Sequence, residues 1–559
     1  MPIPPRQNFR RALLATSLAL GLAASPVHAA DVTPADAEDV ARQLHGWFAA
    51  TLGPNVKLPP DLVRVSAEGT RYRVALPWPF PVLRMQDEAG APTEALFSAV
   101  IHKLDGTSWA IDALRMPALI GLTPEAAASL AGPADAAPKA QPEKTPAEKT
   151  PSGNTPAAPR AELRIREYSG TGMLDTALNA ESRIDTAMQG LSFEAASLGA
   201  PGNGSRMTID RATNQVLLRP NAAGGTDIVQ NATIEGYAST SHDGANGEVR
   251  VNARRVSLQG EIGALMLPQI GTLLRAMIQL GVDSATPAPV TASAPGTATE
   301  KPGAAPLQVV SPGVSPVPPP TVPQGAPGTD ANRATLRAVF AALKSILAGM
   351  TVEETIEGLA IEAQGQRGSV ERTVFALGGG APNGKLRAHV ELGMDGLAMP
   401  SLPPQFSELV PRAFAVRPTI GNIDVAALTA IAEAAAAPNA DPGMLTAQLM
   451  GLLAQGGVDL GIERLTLEMG PARLAGKAAI TVTGPMTAKG TAEITMTGFD
   501  ALMDKAQKMP DATAAIPVFA LLRGLARAEK EKLVWRIVLA EDMKVTVNGV
   551  DITKLAGGK

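Results

Sequence analysis

The sequence predicts an α+β, β-rich protein: long, curved, meander-like antiparallel sheets with covering helices, interrupted by two Pro-rich disordered linkers. Two observations carry this. Period-2 apolar alternation recurs through most of the chain, with turn signals between the alternating stretches. Two stretches without any apolar periodicity are rich in Pro, Ala, Ser and Thr, in a chain of 559 residues with 48 Pro and 54 Gly.

From the N-terminus, Arg6, Arg10 and Arg11 precede an apolar run from Ala12 to Ala24, then Pro26 and Val27-His28-Ala29. A basic segment, a short apolar core and a small residue before the cut describe a signal peptide, residues 1–29. The run is shorter than the ~20 residues a bilayer span needs. The Arg10-Arg11 pair leaves the export route open between the general and twin-arginine pathways. The Ala-, Pro- and Arg-rich style points to a Gram-negative bacterium and hence to the periplasm.

A small α+β unit spans residues 30–130. It opens with a helical stretch near 35–50, apolar at Val40, Leu44, Trp47 and Phe48, and continues in alternating segments at Val63/Val65, Tyr72/Val74/Leu76 and Trp109/Ile111/Ala113. Residues 131–160, with EKTP repeated at Glu143 and Glu148, read as a disordered linker, too poor in bulky side chains to offset the entropy of ordering. A β-rich middle unit, 161–282, alternates at Leu163/Ile165, Met207/Ile209, Val216/Leu218 and Val249/Val251, and ends in an apolar helix candidate, Ile262–Leu280. Residues 283–330, with Pro318-Pro319-Pro320, form the second linker.

The α+β C-terminal unit spans 331–559. Helical patterns lie near Ala334–Leu347, Val425–Ala436, Met444–Leu453 and Pro517–Leu525. Strand patterns fall at Val374/Ala376, Leu386/Ala388/Val390/Leu392, Leu465/Leu467/Met469, Ala478/Ile480/Val482, Ala492/Ile494/Met496 and Trp535/Ile537/Leu539. The last hairpin, Met543/Val545/Val547, turns at Asn548-Gly549. One face of these strands is apolar and the other carries Thr, Lys, Glu and Arg, so the sheet is antiparallel and half-buried. A repeat runs through the alternation: Gly190-Leu191-Ser192-Phe193-Glu194-Ala195 matches Gly358-Leu359-Ala360-Ile361-Glu362-Ala363, and Thr233-Ile234-Glu235-Gly236 matches Thr355-Ile356-Glu357-Gly358.

Chemistry is nearly silent. With no Cys, the chain has no disulfide, thiolate metal site or cysteine nucleophile. A net charge of −4 gives no global field for nucleic acid. Each remaining His is alone in its region, with no His-Glu-x-x-His pattern and no carboxylate cluster at metal-ligand spacing. Ser241-His242-Asp243 spells a hydrolase triad, but consecutive side chains cannot converge, and the segment reads as a Gly/Asn-rich loop. Gly379–Lys385 has phosphate-loop spacing without the following Ser or Thr, and a strand follows where a helix is required. It reads as a hairpin loop, as does Gly199–Gly204. The expectation is therefore a non-enzyme with no cofactor, no metal and no catalytic residues.

Two features point to apolar ligands instead. Small residues of the last sheet, Ala472, Ala478, Ala488 and Ala492, leave room beside Ile and Met, and the covering helices are apolar. A hydrophobic groove would be lined by Ile480, Val482, Ile494, Met496, Ile537 and Leu539. The same residues serve equally as core against Ala-rich helices.

Residues 455–559, with RLTLEMGPARLAGKAAITVTGPMTAKGTAEITMTGFDALMDKA and the closing VTVNGVDITKL, resemble uncharacterised periplasmic proteins of alphaproteobacteria grouped as a domain of unknown function. More loosely, they are similar to AsmA-like envelope proteins. The resemblance implies long curved antiparallel sheets with an apolar inner face, and a role in lipid handling or outer-membrane homeostasis. It brings no catalytic residues. The chain departs from AsmA-like proteins in lacking an N-terminal membrane anchor and in its two Pro-rich linkers, so a bridge between membranes does not follow. The functional expectation is a non-catalytic periplasmic envelope protein that shelters lipid or another hydrophobic ligand in a β-sheet groove. The alternative is a periplasmic scaffold that binds envelope proteins and no small ligand. Neither reading includes nucleic acid or a transmembrane span in the mature chain; the oligomeric state is left open.

Overall fold

The computed structural model describes residues 31–52, 61–77, 83–123, 160–196, 204–222, 225–243, 247–265, 349–403, 410–435, 441–484, 487–508 and 516–552. The expected signal peptide, nearly all of both expected linkers, the helix expected at Ala334–Leu347 and most of Gly199–Gly204 and Ile262–Leu280 lie outside these residues.

Among the described residues the order begins with α1 (Pro34–Leu52), β1 (Arg64–Glu68), β2 (Arg71–Pro77), β3 (Leu83–Gln86), β4 (Ala95–Asp105), β5 (Ser108–Arg115) and β6 (Leu119–Leu122). Five long strands follow: β7 (Arg160–Asp175), β8 (Ser182–Ala196), β9 (Gly204–Pro220), β10 (Thr226–Asp243) and β11 (Gly247–Leu265). Next come β12 (Gly349–Ala363), β13 (Gln366–Gly380), β14 (Lys385–Asp395), β15 (Pro411–Asp424), α2 (Val425–Ala435) and α3 (Pro442–Ala454). The chain continues through β16 (Val458–Met469), β17 (Ala472–Gly484), β18 (Thr487–Thr497), α4 (Phe499–Gln507), α5 (Ile516–Leu525) and β19 (Arg527–Glu529). It closes with β20 (Lys532–Leu539), β21 (Val545–Val547) and β22 (Val550–Asp551).

All these strands join one curved antiparallel sheet. From β7 to β18 each strand pairs with the next in sequence. At one end β5 and β6 both pair with β7; at the other, β18 pairs with β20 and β20 with β21. The three units expected from sequence are therefore segments of a single sheet: β5 joins β7 past the first linker, and β11 joins β12 past the second. Both edges taper to short strands, which limits the unpaired backbone offered to other sheets.

A crease crosses the strands at one level. In register, Arg166 of β7 lies opposite Gly190, then come Asp210, Gly236, Arg254, Gly358 and Glu371, with Gly396 just past β14. The four glycines have φ of 61°, 66°, 64° and 68°, a left-handed conformation that side chains resist. Each is roofed by the charged neighbour: a Cβ on Gly236 would lie 2.0 Å from the Asp210 carboxylate, and one on Gly396 2.4 Å from Glu371 Cγ. The apolar alternation changes phase here. Along β9 it runs Met207, Ile209, then Ala212, Val216 and Leu218; along β12 it runs Met350, Val352, Ile356, then Leu359 and Ile361. The charged pairs at the switch, Arg166-Glu167, Asp210-Arg211, Arg254-Arg255 and Glu371-Arg372, are exposed, whereas Ile165, Leu191, Ile209 and Ala253 beside them are buried. Two successive residues thus face solvent, as in a bulge, and the apolar side continues across the bend. This crease is what the repeats encode: Gly190, Gly236 and Gly358 are their shared glycines.

A compact core occupies the N-terminal end of the sheet. At the N-terminal end α1 packs on the sheet through Val40, Val63, Val74, Ile101 and Trp109, with Tyr72 edge-on to Trp109 at 5.8 Å. Its first turn is closed by a reciprocal cap: Thr33 N–H donates to the Asp36 carboxylate and Asp36 N–H to Thr33 Oγ1. The β7–β8 turn is organised by buried Asp175, whose carboxylate accepts from Thr107 Oγ1 (2.6 Å) and from the N–H groups of Ala177, Asn179 and Ala180. These donors hold its pKa below the ordinary carboxylate value.

Two expectations are corrected. Ile262–Leu265, expected to open a helix, ends β11, with Ile262 opposite Ile228, because the β11 alternation runs on past the crease. Ser241-His242-Asp243, expected in a loop, ends β10, where each residue pairs with β11.

Candidate functional site

Cross-strand register assembles the inner face from β13 to β20. One row runs Phe375, Leu392, Val416, Leu465, Gly476, Ile494 and Trp535, each directly opposite the next. A parallel row runs Ala388, Ile420, Leu460, Ile480, Gly490 and Leu539. At about 4.8 Å per strand these rows cover roughly 30 Å. Towards β7 the face becomes mixed: Glu354 stands opposite both Leu258 and Phe375, and Gln230 bonds Asn214 (2.9 Å).

Most of this face has no cover among the described residues. Phe375 (41%), Leu392 (43%), Ile420 (37%) and Leu460 (42%) are exposed, a cluster of large apolar side chains that isolated surface residues do not form. All six groove residues named from sequence lie on this inner face and are half-buried. Ile494, Met496 and Ile537 line a cavity of about 440 Å³ beneath α4 and α5. Ile480, Val482 and Leu539 lie further along the strands, outside it. Sequence reading missed Phe375, Ile420 and Leu460; in β13 it followed Val374 and Ala376, which alternate to the outer side. The bulk of Phe375 and Leu377 in the other phase was the available signal.

Local chemistry fixes the helices at this end. Trp535 Nε1–H donates to Leu522 O (2.8 Å), holding the end of α5 on β20. Asn548, at φ 50° in the Asn-Gly turn, donates to Leu525 O and Val534 O (both 2.8 Å) and accepts from Arg536 N–H. Phe499 and Phe519 stack edge-to-face at 6.1 Å, and Arg523 pairs with Asp500 across α4 and α5. At the opposite strand ends α2 and α3 are capped by Asp424 and Asp441, which accept from Ala427 N–H (3.0 Å) and Gly443 N–H (2.9 Å).

The outer face is polar. Arg464 pairs with Glu391, Arg417 with Glu463 (3.2 Å) and Arg536 with Glu493 (3.5 Å). His389 lies over Gly378, where a Cβ would sit 2.3 Å from its ring. Burial, and then the nearby Arg417 charge, push its pKa below the ordinary imidazole value. No group of three or more His, Asp or Glu among the described residues is arranged to hold a metal ion. No helix among the described residues is long and apolar enough to cross a membrane. Gly379–Lys385 forms the β13–β14 hairpin connection, without the helix N-terminus a phosphate loop requires.

Comparison with protein-family models, curated proteins and solved structures returns no match.

Proposed function

We propose that this is a non-catalytic periplasmic envelope protein that shelters lipid or another hydrophobic ligand on the inner face of its curved sheet. The observation that carries the reading is the apolar surface, left exposed among the described residues, that Phe375, Leu392, Ile420 and Leu460 form in register. Each of these four side chains is about two-fifths exposed, so covering it with a bound acyl chain would recover roughly 0.6–1.2 kcal/mol. The opposite face, laced with ion pairs, suits water. The signal peptide at residues 1–29 and the AsmA-like style of residues 455–559 support the periplasmic setting. A scaffold without a ligand would bury these residues against a protein.

Native mass spectrometry tests the reading on residues 30–559 purified from a Gram-negative periplasm without detergent. Adducts at phospholipid or fatty-acid masses, identified after extraction, are the expected result. A bare polypeptide mass that stays unchanged after incubation with liposomes would overturn it.

A further inference from the structure

We propose that the chamber under α4 and α5 is a separate binding site for the end of a single hydrocarbon chain, such as the tail of a fatty acid. The proposal rests on the lipid-sheltering reading and adds to it a second, half-enclosed site with its own ligand geometry. The chamber measures about 440 Å³ and is walled by side chains such as Leu474, Met496, Leu502, Phe519, Leu522 and Trp535. Native interiors rarely leave voids larger than a water molecule. Apolar cavities accept apolar guests, and a volume of about 440 Å³ lies at the small end of the ligand-pocket range.

Its chemistry excludes a headgroup. The indole N–H of Trp535, the one polar side-chain group among the described residues of the lining, is spent on Leu522 O. A charged or hydrogen-bonding group inside would therefore lose its water without gaining a partner. The walls are preorganised by the Phe499–Phe519 stack and the Arg523–Asp500 pair, so a guest meets a formed site. Register makes the chamber floor continuous with the open inner face, since Ile494 opposes Gly476 and Gly476 opposes Leu465. A chain end can thus enter the chamber while its polar head remains outside.

The absence of Cys from the sequence allows a clean test. Leu502→Cys puts the sole thiol in the chamber and Leu392→Cys puts it on the open face, each in the full mature chain. Reaction with a small uncharged disulfide reagent is timed with and without stearic acid. Stearic acid should slow Leu502→Cys about tenfold or more once it is well above its Kd, at one stearate per chain by native mass spectrometry. Adding Ala472→Phe, which fills the chamber from the buried floor, should abolish that protection. Leu522→Cys, on the half-exposed α5, repeats the measurement where Leu502→Cys disturbs folding. Protection of Leu392→Cys with none at positions 502 and 522 would overturn the chamber and leave the open-face reading standing. Failure of stearic acid to bind or protect at any position would remove the chamber proposal, while phospholipid adducts would still report on the open face.

Discussion

Gly236→Ala perturbs the crease at its tightest contact. Gly236 has φ 66°, and a Cβ there would lie 2.0 Å from Asp210 Oδ2, 2.4 Å from Cγ and 2.8 Å from Cβ. A left-handed alanine costs about 1–2 kcal/mol on backbone grounds. Displacing the Asp210 side chain, including its Cβ, adds about 1–3 kcal/mol of overpacking. The reference is Gly365→Ala, at φ 74° in a turn with nothing within 4 Å of its Cβ, which isolates the backbone cost. Gly236→Ala should therefore exceed Gly365→Ala by at least ~1 kcal/mol in urea unfolding. Asp210→Gly in the same chain should recover most of the difference, a coupling of about 1 kcal/mol or more. Hydrogen exchange should localise the loss to β9, β10 and β11. Equal costs for the two alanines, or no rescue by Asp210→Gly, would refute the crease as a set of glycines fitted beneath charged neighbours.

Further outcomes are expected at three residues. Asp175→Ala strands Thr107 and three backbone N–H groups and should cost about 3 kcal/mol in urea unfolding. Because the folded pKa of Asp175 is depressed, its contribution is present above the ordinary carboxylate pKa and disappears as pH falls through the folded value; the wild-type advantage over Asp175→Asn should shrink in acid and hold at neutral pH. Trp535→Phe removes the bond to Leu522 O and should raise hydrogen exchange across α5, at a cost of about 1–2 kcal/mol. Asn548→Ala loses a residue suited to φ 50° together with its bonds to Leu525 O, Val534 O and Arg536 N–H, and should cost about 2–3 kcal/mol by thermal unfolding.

The β-rich class was legible because the C-terminal strands alternate strictly and end in an Asn-Gly turn; β16, β17, β18, β20 and the final hairpin fall where the pattern puts them. The length of the strands was not. The crease reverses the alternation within a strand, so Met207/Ile209 and Val216/Leu218 read as two strands where β9 is one. The repeated Gly words were visible, but their meaning needs φ and cross-strand register, which no local pattern carries. Continuity past the linkers was equally hidden, since the pairing of β11 with β12 spans residues 266–348. Of the site, the six residues from Ile480 to Leu539 share one face because period-2 alternation dictates it. The division into an open face and a chamber depends on where α4 and α5 settle, and helix docking leaves no mark in a single sequence.

The most direct measurement is the amount of lipid that co-purifies with paired inner- and outer-face variants. Phe375→Asp and Leu392→Asp place a charge on the open apolar face, while Val538→Asp places one at an exposed position on the opposite face of β20. Extracted lipid per mole of folded protein should fall sharply in both inner-face variants and match wild type in Val538→Asp. Equal lipid content in all three, with folding intact by circular dichroism, would contradict a ligand held on the inner face.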